Sequence, residues 1–292
     1  MTTNGLVPGP NGLPKIRITT PDGSCAEVYA HGAHVTSWIP ANDEERLYLS
    51  TASQFRDGAA IRGGVPVVFP QFSGWGPLPK HGFVRNRAWE LASAAAGAAR
   101  FQLRDSDSSR AIWPHAFFIE CSTTLREREL VLEMTVINSN AEPFTFTAAL
   151  HTYLRVADIA DTAITGLANA RFFDAAHQDA AHQDAAHQDA PHKQEAVQSD
   201  AVLRFSGEVD RVYYDTSRVT VDDGRRSLEV QNYGFSDCVI WNPGETLAAT
   251  LHDLEPGGYQ RFVCVEAAIF KKPVTLAPQA MWRGGQVLRV PA

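Results

Sequence analysis

The stretch from Phe144 to Val156, FTFTAALHTYLRV, alternates in side-chain character with a period of two. Phe144, Phe146, Ala148, Leu150, Thr152, Leu154 and Val156 fall on one face, and Thr145, Thr147, Ala149, His151, Tyr153 and Arg155 share the other. That period belongs to a strand with one face against a core, and a packed helix, with its repeat of about 3.6 residues, cannot satisfy it. Short segments of the same kind recur along the chain. KIRITT and CAEVYAHGAHVTSWIP are separated by PDGS, where Asp22-Gly23 signals a hairpin because glycine takes the positive φ of the tight turn. RFQLRD, FFIECSTTL and VLEMTVINSN continue the series, with LREREL as a charged turn. Asp223-Gly224 marks a second hairpin, and QRFVCVEAAIF and MWRGGQVLRVPA close the series. No segment offers a long amphipathic helix. Short strands with turn punctuation predict an all-β fold: a large antiparallel β-sandwich with few short helices, formed by residues 1–292 as a single domain.

With 292 residues, 44% of them hydrophobic, the chain is long enough to bury a substantial core. The opening MTTNGLVPGPNG lacks the charged start and apolar run of a secretory signal, and no stretch approaches the roughly 18 apolar residues of a membrane span. A soluble cytoplasmic protein with no membrane partner is expected. The formal net charge of -7 argues against nucleic acid as a partner. Cys25, Cys121, Cys238 and Cys264 lie far apart in or near apolar runs, without CxxC spacing, so buried free thiols are expected rather than disulfides or a zinc site.

One segment departs from the strand pattern. AAHQD occurs three times from Ala175 to Asp189, and APHKQ closes the run, giving a low-complexity insert at about 175–194. A period of five is far below that of stacked repeats. On a helix His177, His182 and His187 would not share a face, and on a strand they would alternate, so a solvated loop is expected rather than a metal site.

Against the acidic balance of the chain, Gly58 to Trp89 contains no Asp or Glu yet holds Arg62, Lys80, His81, Arg85 and Arg87. Its glycines permit close backbone approach and its prolines stiffen the connections, a combination that suits a loop shaped around a small anion such as phosphate. On its own the segment reads equally well as a basic surface loop whose glycines only make turns. His31 and His34, between strands, are expected to be structural. His151 projects from the polar face of its strand beside Tyr153, a place where a histidine is more often structural than functional. Glu266 is the single acid of an almost wholly apolar strand, so it must be hydrogen-bonded or hold a raised pKa. It is either a functional group or a buried acid tied to Arg62 or Arg85.

IRGGVPVVFPQF, LPKHGFVRNRAWEL, ALHTYLRVADI, GEVDRVY, DCVIWNPG and FVCVEAA, in that order, resemble the glucose-6-phosphate 1-epimerases (hexose-6-phosphate mutarotases) of the galactose mutarotase-like group. The likeness runs from about residue 15 to the C-terminus. It implies a galactose mutarotase-like supersandwich and a cofactor-free enzyme with its site on the concave face of one sheet. It also implies that His151 and Glu266 are the catalytic pair and that Arg62, Arg85 and Asp210 bind substrate, with Lys80 and His81 beside them in the same basic loop. The family often has Gln where this chain has Lys80, and commonly Pro where it has Ala267.

Exchanging the anomers of a sugar requires the C1 hydroxyl to lose a proton while the ring oxygen gains one. In this scheme Glu266 takes the proton from O1 and His151 gives one to O5, the roles reversing on closure, with only modest tuning of ordinary pKa values of about 4.3 and 6.5. No metal or redox cofactor is called for. Arg62 and Arg85, with Lys80 or Arg87, would hold the phosphate, Asp210 the sugar hydroxyls, and Phe72 or Trp75 would form a stacking wall, while Phe69 is expected in the core. The expected function is therefore interconversion of the α and β anomers of D-glucose 6-phosphate or a related hexose 6-phosphate by a monomer. The alternatives are an aldose 1-epimerase acting on free sugars and a non-catalytic sugar-phosphate-binding protein on the same sandwich.

Overall fold

The computed structural model describes residues 5–176 and 195–291; His177, His182 and His187 of the repeats lie outside them. Nearly all regular structure in the described residues is strand, arranged in three antiparallel sheets. The predicted hairpins form where glycine allows them: Pro14–Thr19 pairs with Cys25–Tyr29 around Gly23, and Arg218–Asp222 with Ser227–Tyr233 around Gly224, both glycines at positive φ.

A nine-stranded sheet forms one layer, with Ser227–Tyr233, Met281–Arg289, Glu129–Asn138 and Phe117–Arg126 as successive neighbours. An eight-stranded sheet forms the opposite layer. Its order across the middle is Arg171–Asp174, Val209–Tyr214, Asp237–Asn242, Phe262–Leu276 and Phe144–Leu150, with Val67–Val68 at the far edge. A four-stranded sheet that includes Cys25–Tyr29 and His34–Ile39 joins them. One continuous core contains buried residues of all three, among them Val28, Val35, Met134, Val136, Leu150, Val265 and Leu288. The sheets therefore enclose a single apolar layer, as a sandwich requires.

The period-two pattern at Phe144–Val156 places its residues as expected. Phe144, Phe146, Ala148, Leu150, Leu154 and Val156 all enter the main core, whereas Ala149 and Tyr153 belong to separate clusters on the outer face of the eight-stranded sheet. The stretch is not one strand, however. Phe144–Leu150 and Tyr153–Arg155 both pair with Phe262–Leu276, and the ladder is interrupted at His151 and Thr152. There the His151 N–H donates to the Pro66 carbonyl at 3.0 Å. All four cysteines are free and buried, as expected.

Candidate active site

Leu150 pairs with Ala267 and Tyr153 with Cys264, so the register on both sides of the interruption sets His151 opposite Glu266. Paired residues of an antiparallel sheet share a face. Val212, Val239 and Glu266 accordingly form one row, and Asp210, Trp241, Cys264 and Tyr153 form the next. Both rows lie on the face turned away from the core.

The two groups meet. His151 Nδ1 is 3.4 Å from Glu266 Oε1, and both side chains are buried. Neither His151 Nδ1 nor Glu266 Oε2 has a hydrogen-bond partner, an unusual state for buried polar atoms and one typical of groups kept for chemistry. The His151 ring stacks on Tyr153, with centroids 4.9 Å apart and planes within 9°, and meets His81 and Trp241 edge-on. These contacts fix the imidazole plane against the sheet.

Burial disfavours the charged form of each group, so it raises the carboxyl pKa and lowers the imidazole pKa. Glu266 is pushed well above its ordinary 4.5 by burial, with Asp210 adding to the rise. His151 is held well below 6.5 by burial, reinforced by Arg62 and Arg85 and then Lys80. The modest tuning expected from ordinary values is thus corrected: both groups are shifted far from those values, because burial disfavours the carboxylate and the imidazolium alike. Asp210 is raised to about 7, chiefly by burial, against the pull of Lys80. The charges are segregated, with cations acting on the imidazole side and Asp210 on the carboxyl side.

The loop from Gly63 to Arg85 delivers the basic residues. Gly64 sits at φ 60°, where a Cβ would lie 2.2 Å from the Val35 carbonyl oxygen, and Gly82 at φ 69°, where it would lie 1.9 Å from the Phe69 oxygen. Only glycine accommodates both the sign of φ and the approach. His81, buried and also at positive φ, accepts a 3.3 Å hydrogen bond at Nδ1 from the Ser73 N–H, and its ring packs edge-on to Phe72. Burial, His151 and then Arg85 keep it well below 6.5.

Arg62 donates from Nη1 to the Tyr153 hydroxyl at 2.9 Å and pairs with Asp253 at 3.0 Å. The buried acid therefore is not tied to Arg62: Asp253, remote in sequence, takes that role. Arg85 donates from Nη2 to the Lys80 carbonyl at 3.1 Å, its Nε is buried without a partner, and no carboxylate of the described residues contacts it. Lys80 is exposed at the rim. Arg87 turns elsewhere, donating to Ser108 Oγ at 2.8 Å. His31 and His34 tie to loop carbonyls, Ala59 at 2.6 Å and Gly63 at 2.7 Å, in keeping with structural roles.

Phe69 packs in the core against Trp113, Phe117 and Phe146, as expected. Trp75 lies on the outer face but engages Phe173 and Phe270 edge-on, whereas Trp241, which the sequence did not single out, stands beside His151. Cys264 was likewise read only as a buried thiol. It stands two residues from Glu266 on the same face, a relation that strand alternation does make legible.

A facing imidazole and carboxyl group, flanked by cations on one face of a β-sandwich, are suited to acid–base proton transfer. Comparison with known proteins identifies the class further. The aldose 1-epimerase family model matches residues 14–289, and the chain belongs to that family. It is 34% identical over 294 aligned positions to a Cenchrus ciliaris protein provisionally named glucose-6-phosphate 1-epimerase, covering 96% of this chain and 85% of the other. An Escherichia coli protein with the same provisional name is 38% identical over 250 positions, covering 81% and 77%. A crystal structure provisionally described as a mutarotase from Salmonella typhimurium superposes with a TM-score of 0.85 at 30% identity, covering 99% of this chain and 95% of the other.

Proposed function

We infer that the protein interconverts the α and β anomers of a hexose 6-phosphate, D-glucose 6-phosphate being the first candidate. The single observation that carries this assignment is the 3.4 Å approach of His151 Nδ1 to Glu266 Oε1 with Arg62 and Arg85 acting on the imidazole. Glu266 removes the proton of the C1 hydroxyl, and His151 delivers a proton to the ring oxygen. The ring opens, C1 rotates, and the reverse transfers close it. Burial favours the uncharged pair before substrate enters. A sugar hydroxyl donating to the carboxylate and a ring oxygen accepting from the imidazolium stabilise the charged pair instead, because hydrogen bonds to a charged form favour it. Each group is expected to contribute about a hundred- to ten-thousand-fold.

Arg85, half-buried with its Nε unpartnered and no carboxylate in contact among the described residues, is the strongest phosphate ligand, with Arg62 and Lys80 beside it. Asp210, raised to about 7, holds its proton about half the time near pH 7 and so can donate as well as accept at a sugar hydroxyl. Arg62 and Arg85 both bear on His151, which favours a phosphosugar over a neutral one. Anomer exchange followed by NMR tests the assignment. The wild type is expected to exchange glucose 6-phosphate far faster than glucose, and His151→Ala or Glu266→Ala to lose at least about a hundredfold in turnover while folded. Equal exchange of both sugars would favour a free-sugar epimerase. Saturable binding without exchange would favour a binding protein.

A further inference from the structure

We propose that His151, Glu266 and Cys264 form a three-ligand site for a thiophilic divalent cation of the zinc or cadmium type, whose occupancy inhibits the enzyme. One donor atom from each residue lies within 4.8 Å of the other two, and all three side chains are buried. Cys264 and Glu266 leave the same face of one strand, and His151 stands opposite Glu266 on its neighbour. The three donors therefore come from two strands held in register, not from a flexible loop.

The distances suit such an ion. Bonds of about 2.0–2.2 Å from zinc to nitrogen and oxygen, at a tetrahedral angle, separate the two donors by about 3.4 Å. His151 Nδ1 and Glu266 Oε1 are 3.4 Å apart. A sulfur donor needs about 3.6 Å to its co-ligands, and the three donor atoms lie within 4.8 Å of one another, so Cys264 Sγ must close by at most about 1.2 Å. His151 Nδ1, the nitrogen of that 3.4 Å pair, has no hydrogen-bond partner, so coordination there breaks no existing bond.

Charge also balances. The thiol and the carboxyl group each release one proton to solvent as the dication enters, and the cluster keeps its net charge. Arg62, Arg85 and Lys80 disfavour the ion, but Arg62 is paired with Asp253, and Asp210 faces Glu266 with the opposite sign. Imidazole, thiolate and carboxylate are the donors that zinc-type ions select, and three protein donors leave a fourth position open. A bound ion would occupy the lone pairs that carry protons in the proposed reaction, so inhibition, though not binding, rests on that assignment.

The full chain, freed of metal with a chelator, is titrated with Cd²⁺ while its ultraviolet thiolate-to-cadmium absorption and its anomer exchange are followed. The expected result is one Cd²⁺ per chain with a thiolate band, a loss of turnover of at least about tenfold, and recovery on adding chelator. Cys264→Ala, or Cys264→Val if alanine does not fold, is expected to lose the band and the inhibition. His151→Ala keeps the thiol and should bind Cd²⁺ at least about tenfold more weakly, since even outer-shell partners are worth about 10–100-fold in metal affinity. The proposal is overturned if the wild type shows no band, or if the band persists in a folded Cys264 variant or at unchanged affinity in His151→Ala. The band is read without turnover, so a chain with no anomer exchange would refute the functional assignment and leave the metal result decisive.

Discussion

Burial raises Glu266 and lowers His151, and both shifts bear on stability. A folded carboxyl group that holds its proton above its ordinary 4.5 makes folding proton-binding, so stability falls as pH rises from that value toward the folded pKa. The depressed imidazole acts oppositely between its folded pKa and about 6.5, above which the unfolded histidine is already neutral. Glu266→Gln is therefore expected to gain stability relative to wild type as pH rises from about 4.5 toward the folded pKa of Glu266, by at most about 1.4 kcal/mol per pH unit. Urea unfolding at several pH values measures this, and a constant difference would contradict the raised pKa. Glu266 could be singled out from the sequence because one acid in an apolar strand has few explanations. Asp253 could not, because its pairing with Arg62 spans 191 residues and no local pattern encodes it.

The loop from Gly63 to Arg85 shows what an element contributes. Its composition suited equally a loop shaped around an anion and a basic surface loop, and Gly64 and Gly82 occupy positions that only glycine fits. At Gly82 an added Cβ meets the Phe69 carbonyl, a backbone atom that cannot rotate away. Gly82→Ala is expected to destabilise the fold by at least about 1–3 kcal/mol, the cost of one strained backbone site, and to reduce turnover by displacing the adjacent His81 from His151. Denaturant unfolding and anomer exchange read the two effects, and unchanged values in both would remove the proposed constraint. The strand at Phe144–Val156 shows the limit of pattern. Period two assigned its faces correctly, but the ladder interruption at His151 and Thr152 depends on the Pro66 carbonyl, which the pattern does not contain.

Across the whole molecule, the two layers of the sandwich are joined behind His151 and Glu266. Gln286, fully buried in the nine-stranded sheet, accepts from the Thr152 hydroxyl and donates to the Val265 carbonyl at 3.1 Å and to Asn232 Oδ1 at 3.0 Å. Thr152 follows His151 and Val265 precedes Glu266, so one amide holds both strands in position from the core side. Gln286→Leu leaves those partners unsatisfied at about 1–3 kcal/mol each. A loss of a few kcal/mol is expected, together with a fall in kcat of about tenfold or more and a nearly unchanged KM, because a misplaced pair weakens proton transfer more than binding. Lost stability with unaltered kcat would restrict Gln286 to a structural role.

The sequence by itself determined the all-β fold, the hairpins at Gly23 and Gly224, the core-facing set of the Phe144–Val156 stretch and Glu266 as a candidate. Those features follow from period, turn chemistry and the cost of burying one charge, which act over a few residues, whereas His151 stood out only through the resemblance to a known family. Only the tertiary structure decided that the imidazole and carboxyl group meet at 3.4 Å, that Asp253 holds Arg62, and that Cys264 and Trp241 stand beside the pair. It also set the direction of both pKa shifts, because desolvation depends on what surrounds a group in space and not on its neighbours along the chain.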